Sequence, residues 1–168
     1  MTRIVAMDTT SEFGSLALAE DGRIVEEVLL HAPDGFAHVL FQHVERLLKR
    51  HGWRYEDVTG FAAAAGPGSF TGVRVGLAAA KGLAEASGAL AAAISNLQAM
   101  AWFGTARLRA PFFDARRGEI YGAVYDDRLE PVQPEVVMKF PAWRAGLPEG
   151  AELLTPEPAL FQVQATVT

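Results

Sequence analysis

With 168 residues, half of them hydrophobic, 21% charged and a formal net charge of −5, the chain has the composition of a folded protein with one substantial core or two small lobes. That acidic balance argues against a surface broadly built to neutralise a nucleic-acid backbone, so any RNA contact is expected to be local or to run through a partner. Cysteine is absent, which removes disulfides, thiol nucleophiles and thiolate metal sites together.

Met1 to Met7 is too short and wrongly flanked for a signal peptide, and no apolar run approaches the ~20 residues of a membrane span, so a cytoplasmic location is expected. Arg3 to Met7 reads as a first strand ending at the turn cluster Asp8-Thr9-Thr10. Phe13 to Ala19 follows, Glu20-Asp21-Gly22-Arg23 supplies a tight hairpin, and Ile24 to Leu30 completes an antiparallel meander. After Pro33-Asp34-Gly35 the period changes. Phe36, Val39, Leu40, Val44, Leu47 and Leu48 recur at helical spacing, with Gly52 as the stop.

Phe61 to Ala65 has no polar residue and reads as a strand covered on both faces and paired in parallel. It leads into Gly66-Pro67-Gly68-Ser69-Phe70-Thr71-Gly72-Val73-Arg74-Val75-Gly76, a rigid turn that opens a helix from about Thr71 to Ser87, with Ser69 or Thr71 as its cap. Gly72, Gly76, Ala80, Ala84 and Gly88 fall every four residues along this helix, a ridge almost without side chains that lets another element approach closely. Leu90 to Ile94 reads as a further strand, and Ser95 or Asn96 caps a short helix through Phe103.

The pattern then starts again. Arg109 to Phe113 ends at Asp114, Glu119 to Tyr125 follows, Asp126-Asp127 turns, and Val132 to Met138 makes a third strand. The repeated order predicts two lobes of related topology, residues 1–104 and 105–168. Trp143 to Thr155 is poorly patterned and Glu157 to Thr168 offers no convincing helix, so the second lobe is expected to lack the helices that should cover its sheet.

The glycine-rich stretch has two readings, an anion cradle at a helix start and a close backbone contact. It lacks a Gly-Lys-Ser/Thr ending and its glycines miss the dinucleotide spacing, so neither a Walker loop nor a Rossmann fingerprint applies. Asp8 is a candidate for orienting a metal or nucleophile, with a turn aspartate as the plainer alternative. Ser69, Thr71 and Arg74 are candidate anion or ligand contacts, as are Arg116 and Glu119 beside Tyr121, where a solvated hairpin competes with contact to a partner or an RNA phosphate. His31, His38, His43 and His51 include no pair at metal-binding spacing, and Ser69 has neither a nucleophile elbow nor an assignable base. No metal or cofactor is expected.

Met7-Asp8-Thr9-Thr10, the stretch from Gly66 to Gly76, Ser95-Asn96-Leu97 and Asp114-Ala115-Arg116-Arg117-Gly118-Glu119-Ile120-Tyr121, in that order, resemble the bacterial TsaB (YeaZ) family over about Arg3 to Leu154. The resemblance implies an α/β, actin-like, ribonuclease-H-type two-lobe fold with mixed sheets; it fades after Leu154, a departure from the family pattern that leads us to expect a truncated second lobe. It also implies a non-catalytic subunit of the machinery that forms threonylcarbamoyladenosine next to the anticodon of tRNAs reading codons that begin with adenine. The implied partners are a TsaD-like catalytic subunit and a TsaE-like ATPase, or a second copy of the chain, with tRNA met only indirectly or weakly. On this likeness the partner contact falls on the helix from Phe36 to Arg50, at Phe36, Val39 and Leu40, and on Gly72, Val73, Gly76, Leu77 and Ala80 of the small-residue helix. Two other functions stay open: an actin-like ATP-binding phosphotransferase or ATPase with its nucleotide between the lobes, and a glycoprotease-type peptidase.

Overall fold

The computed structural model describes residues 1–166. Its chain forms two compact units, Met1–Ile94 and a second beginning at Ser95.

In the first unit β1 (Arg3–Asp8), β2 (Phe13–Glu20) and β3 (Arg23–His31) form the expected antiparallel meander. Asp21 and Gly22 turn the β2–β3 hairpin with φ of 48° and 79°, the left-handed pair that matches strand twist. β4 (Gly60–Ala64) and β5 (Leu90–Ile94) add in parallel, giving the order β3-β2-β1-β4-β5. α1 (Leu40–Arg50) begins four residues later than its periodicity suggests, because Phe36 to Val39 form a turn whose carbonyls accept from Leu40 and His43. α2 (Phe70–Ser87) is capped by Ser69, whose Oγ accepts from the Gly72 N–H, and ends at Gly88 with φ of 71°.

Both helices pack on one face of this sheet. Leu40, Val44, Leu47 and Leu48 of α1 and Ala79, Ala80 and Ala84 of α2 share a core with Val5, Met7, Leu16, Leu18, Phe61 and Ala63. β4 is therefore not covered on both faces as its composition suggests: Phe61 and Ala63 are buried, whereas Ala62 and Ala64 are half-buried. The strand register aligns Ala6, Ala17, Ala62 and Ala92 across that other face, where alanine substitutes for larger side chains and apolar composition no longer reports burial.

In the second unit Ser95 caps α3 (Asn96–Ala101), its Oγ accepting from Leu97 and Gln98. β6 (Leu108–Arg116), β7 (Glu119–Asp126) and β8 (Pro131–Lys139) form a second meander. The tail is more ordered than its pattern suggests. α4 (Phe140–Ala145) leads to β9 (Glu152–Leu154), which pairs in parallel with β6 to give β8-β7-β6-β9, and α5 (Pro158–Phe161) follows. These elements have six, three and four residues, too few to display a period. They nevertheless cover the sheet. Phe112 packs against Phe140, Trp143 and Phe161 at ring-centroid distances of 5.2, 5.3 and 5.1 Å. On the opposite face Leu97 and Ala101 of α3 bury Ala123 and Tyr125. Among the described residues no helix is long and apolar enough to cross a membrane.

Candidate functional site

The glycine-rich stretch is packed onto the turn after β1. Gly66 sits at φ of 92°, and the Ser69 N–H donates to the Thr10 carbonyl at 2.6 Å. Thr9 Oγ1 donates back to the Gly72 carbonyl at 2.7 Å. A Cβ on Gly72 would lie 1.9 Å from the Thr9 carbonyl oxygen, one on Gly68 2.5 Å from Thr10 Cβ, and one on Gly76 2.6 Å from Thr9 Oγ1. These glycines are required by the chain's own close approach, and the Ser69 amide is already engaged. The contact reading therefore accounts for them without a bound anion.

Asp8 is likewise engaged by its turn. Its Oδ1 accepts from the Thr10 N–H at 2.8 Å and from Thr10 Oγ1 at 2.7 Å, the aspartate-turn geometry. Thr71 is exposed at the first turn of α2, and the Arg74 guanidinium lies 3.5 Å from the Phe70 ring centroid. Arg74 thus stacks on its own helix. Among the described residues no three His, Asp or Glu side chains gather into a set that could hold a metal.

The predicted partner face needs correction. Phe36 and Leu40 are 2% and 1% exposed and Ala80 2%, all inside the core, and Gly76 is buried against Thr9 and Ala63. The ridge of every fourth small residue is real, but it faces the sheet. Val39, Val73 and Leu77 are half-buried and Gly72 is held by Thr9. A second small-residue line, Ala78, Gly82 and Ala86, lies on the outer side of α2, and a Cβ on Gly82 would meet nothing within 4 Å. Phe41 and Phe70 are exposed by 51% and 70% on α1 and α2. The sequence contains this outer line as plainly as the inner one. What was missing was which of the two the sheet would occupy.

In the second unit the β6–β7 turn holds Arg116, Arg117 and Gly118 at φ of 71°, 54° and 71°. Asp114 Oδ1 accepts from the Arg116 N–H at 2.9 Å, repeating the bond pattern of Asp8. Glu119 lies 3.8 Å from Lys139, and Lys139 Nζ donates to the Arg117 carbonyl at 2.6 Å. The sequence did not pick out the partners of Tyr125. Its hydroxyl donates to Glu135 Oε1 at 2.8 Å, and burial, reinforced by that carboxylate, pushes its pKa up to about 12.

Comparison with known proteins places this architecture. The family described as "TsaD: tRNA N6-adenosine threonylcarbamoyltransferase" matches residues 31–160. The TsaB protein of Bacillus subtilis is 31% identical over 151 residues, covering 87% of this chain and 66% of that one. The TsaB protein of Haemophilus influenzae is 30% identical over 172 residues, covering 96% of this chain and 67% of that one. The chain thus spans about two thirds of the length of these relatives. The solved structure of YeaZ from Pseudomonas aeruginosa superimposes with a TM-score of 0.77 at 27% identity, covering 99% of this chain and 81% of that one. The paired meanders, each closed by a parallel strand, are the actin-like, ribonuclease-H-type arrangement. The family match takes its description from the transferase, whereas the relatives that align along most of this chain are TsaB proteins, and on that evidence the chain belongs to the TsaB (YeaZ) family of tRNA threonylcarbamoyladenosine biosynthesis proteins.

Proposed function

We propose that this protein serves tRNA threonylcarbamoyladenosine synthesis as a non-catalytic activating subunit. It pairs through α1 and α2 with a TsaD-like transferase and leaves ATP and metal chemistry to that subunit and to a TsaE-like ATPase. Family membership supports the pathway. The observation that carries the pairing is the outer face of α2, where Ala78, Gly82 and Ala86 form a smooth line with open space above Gly82. An exposed glycine inside a helix costs roughly 1 kcal/mol relative to alanine, and close approach of a second helix offsets that cost. Phe41 and Phe70 and the half-buried Val73 and Leu77 supply apolar surface on the same two helices, joined by Val39 just before α1.

Gly82→Leu tests this reading away from the core, since Gly82 is exposed and a Cβ there would meet nothing within 4 Å. The variant is expected to melt no lower than the wild type and to lose co-purification with a TsaD-like protein. Normal TsaD binding by both Gly82→Leu and Ala78→Arg would show the interface to be wrongly placed. Reconstituted tRNA modification with each subunit omitted in turn tests the activating role itself.

A further inference from the structure

The two sheets finish their edges in different ways. β3 carries Arg23, Glu26, Glu27 and His31, and its pairing with β2 slips between Leu18 and Ala19. β8 contains Pro131 and Pro134, and β9 is bridged at Leu154 by Thr166. Charge, proline and bulges are the devices that keep a strand edge from recruiting another strand. β5 has none of them. Leu90-Ala91-Ala92-Ala93-Ile94 is uncharged, its ladder with β4 is regular, and all of its residues are exposed, Leu90 by 80% and Ile94 by 39%.

The bonds of β5 fix which of its groups point outward. The Leu90 N–H donates to the Thr59 carbonyl at 3.1 Å and the Ile94 carbonyl accepts from the Ala65 N–H at 2.8 Å, so residues 90, 92 and 94 turn their backbone polar groups toward β4. Alternation along the strand then turns the N–H and C=O of Ala91 and Ala93 away from the sheet. By register the side chains of Ala91 and Ala93 lie on the helix side with Phe61 and Ala63, and those of Leu90, Ala92 and Ile94 on the open face with Ala62 and Ala64. This edge is self-complementary. An antiparallel copy centred on Ala92 sets Ala91 opposite the second copy's Ala93 and Ala93 opposite its Ala91, and each of these pairs exchanges two bonds, which satisfies every outward group on both strands. Leu90 then falls opposite the second copy's Ile94 on the open face, twice by symmetry, and Ala92 meets itself on the two-fold axis. A peptide of another sequence could use the same backbone groups, but a second copy also supplies the apolar residues that cover Leu90 and Ile94, and no charge on β5 opposes the match.

We propose that two copies of this chain pair through β5, antiparallel about Ala92, and join their five-stranded sheets into one continuous sheet. A strand pairing of this length is smaller than the ~1,200 Å² of a stable interface, so the dimer is a weak one that fills as concentration rises. It uses the strand edge and not the outer line of α2, and its test uses the isolated chain, so the fate of TsaD pairing does not bear on it.

The experiment is sedimentation equilibrium of the full 168-residue chain from about 10 μM to about 1 mM, a range that reads weak association. The apparent mass is expected to rise from 18.1 kDa toward twice that value. Ala92→Lys sets two like charges directly opposite each other, and Ala93→Pro removes two of the outward bonds while sparing the ladder to β4, so each is expected to weaken association at least about tenfold. Ala92 is exposed, so the melting curve of Ala92→Lys should match the wild type. An equimolar mixture of Ala92→Lys and Ala92→Glu is expected to recover the dimer, because opposite charges then meet on the axis. A mass that stays at one chain up to about 1 mM, or unchanged association in both variants, overturns the proposal. A mixture that pairs no better than either variant alone removes the Ala92-centred register and overturns it too. Loss of the dimer in Gly82→Leu but not in Ala92→Lys moves the contact to α2, with the same consequence.

Discussion

Both units contain a three-stranded meander followed by a helix and a strand parallel to the meander's first, as β3-β2-β1-β4 and β8-β7-β6-β9, yet they are covered differently. The first unit sets two long helices on one face of its sheet and leaves alanines on the other. The second uses short helices on both faces, α3 against Ala123 and Tyr125, and α4 with α5 against Phe112. The difference lies in how each fills space. Long helices with an alanine and glycine seam sit close to the sheet and gain area through length, whereas helices of four to six residues need aromatic side chains to reach it. Even the glycines divide this way: Gly72 and Gly76 admit backbone and threonine, while Gly122 admits the ring of Trp143.

Phe112→Ala is expected to have the largest effect, because it removes the ring at the centre of the second unit's aromatic cluster. It should cost about 3–5 kcal/mol, measured by urea unfolding. Hydrogen exchange then probes the comparison directly: amides of β6, β7 and β8 should lose protection while those of β1 and β4 keep it. Equal loss in both units would mean that the two cores unfold as one.

Gly76→Leu is the counterpart in the first unit. It forces a side chain against Thr9 and Ala63 and should cost about 1–3 kcal/mol or more by overpacking, seen as a lower urea midpoint. Gly82→Leu, six residues or about one and two-thirds turns further along, should not. If both were tolerated alike, the seam between α2 and β1 would be looser than the Thr9 contacts indicate.

The smallest effects are in pH dependence, and the units should differ in sign. In the first, the His51 hydrogen bond to Glu26 at 2.5 Å, joined by Arg50, holds the carboxyl below the usual carboxylate range. A depressed folded pKa gives stability that is complete above the unfolded value and is lost as pH falls through the folded one. In the second, Tyr125 is raised to about 12, so its contribution is complete below the usual tyrosine value of ~10 and is lost as pH rises toward 12. Melting temperature against pH should lose part of its acid arm in Glu26→Gln and part of its alkaline arm in Tyr125→Phe. Wild-type arms in both variants would remove these two groups from the account.

The meander strands of both units were legible because alternating apolar residues between Asp-Gly and Asp-Asp turns fix strands locally, and Ser69 and Ser95 mark helix starts by their own chemistry. The turn aspartates were legible for the same reason, since Asp8 and Asp114 bond residues only two positions on. The tail was not, because α4, β9 and α5 are shorter than a readable period and are held by Phe112, Trp143 and Leu154 across the sheet.

The sequence by itself therefore determined the meander strands, the two longer helices, the turn chemistry and the family. The tertiary structure decided direction. Alanine and glycine lines run along two sides of α2, and nothing in a line of small residues says which side meets the sheet. Thr9 settles it, placing its carbonyl where only Gly72 can lie and its hydroxyl against Gly76. That contact spans more than sixty positions along the chain, which local pattern cannot reach, and it turns the inner ridge into core and leaves Ala78, Gly82 and Ala86 outside.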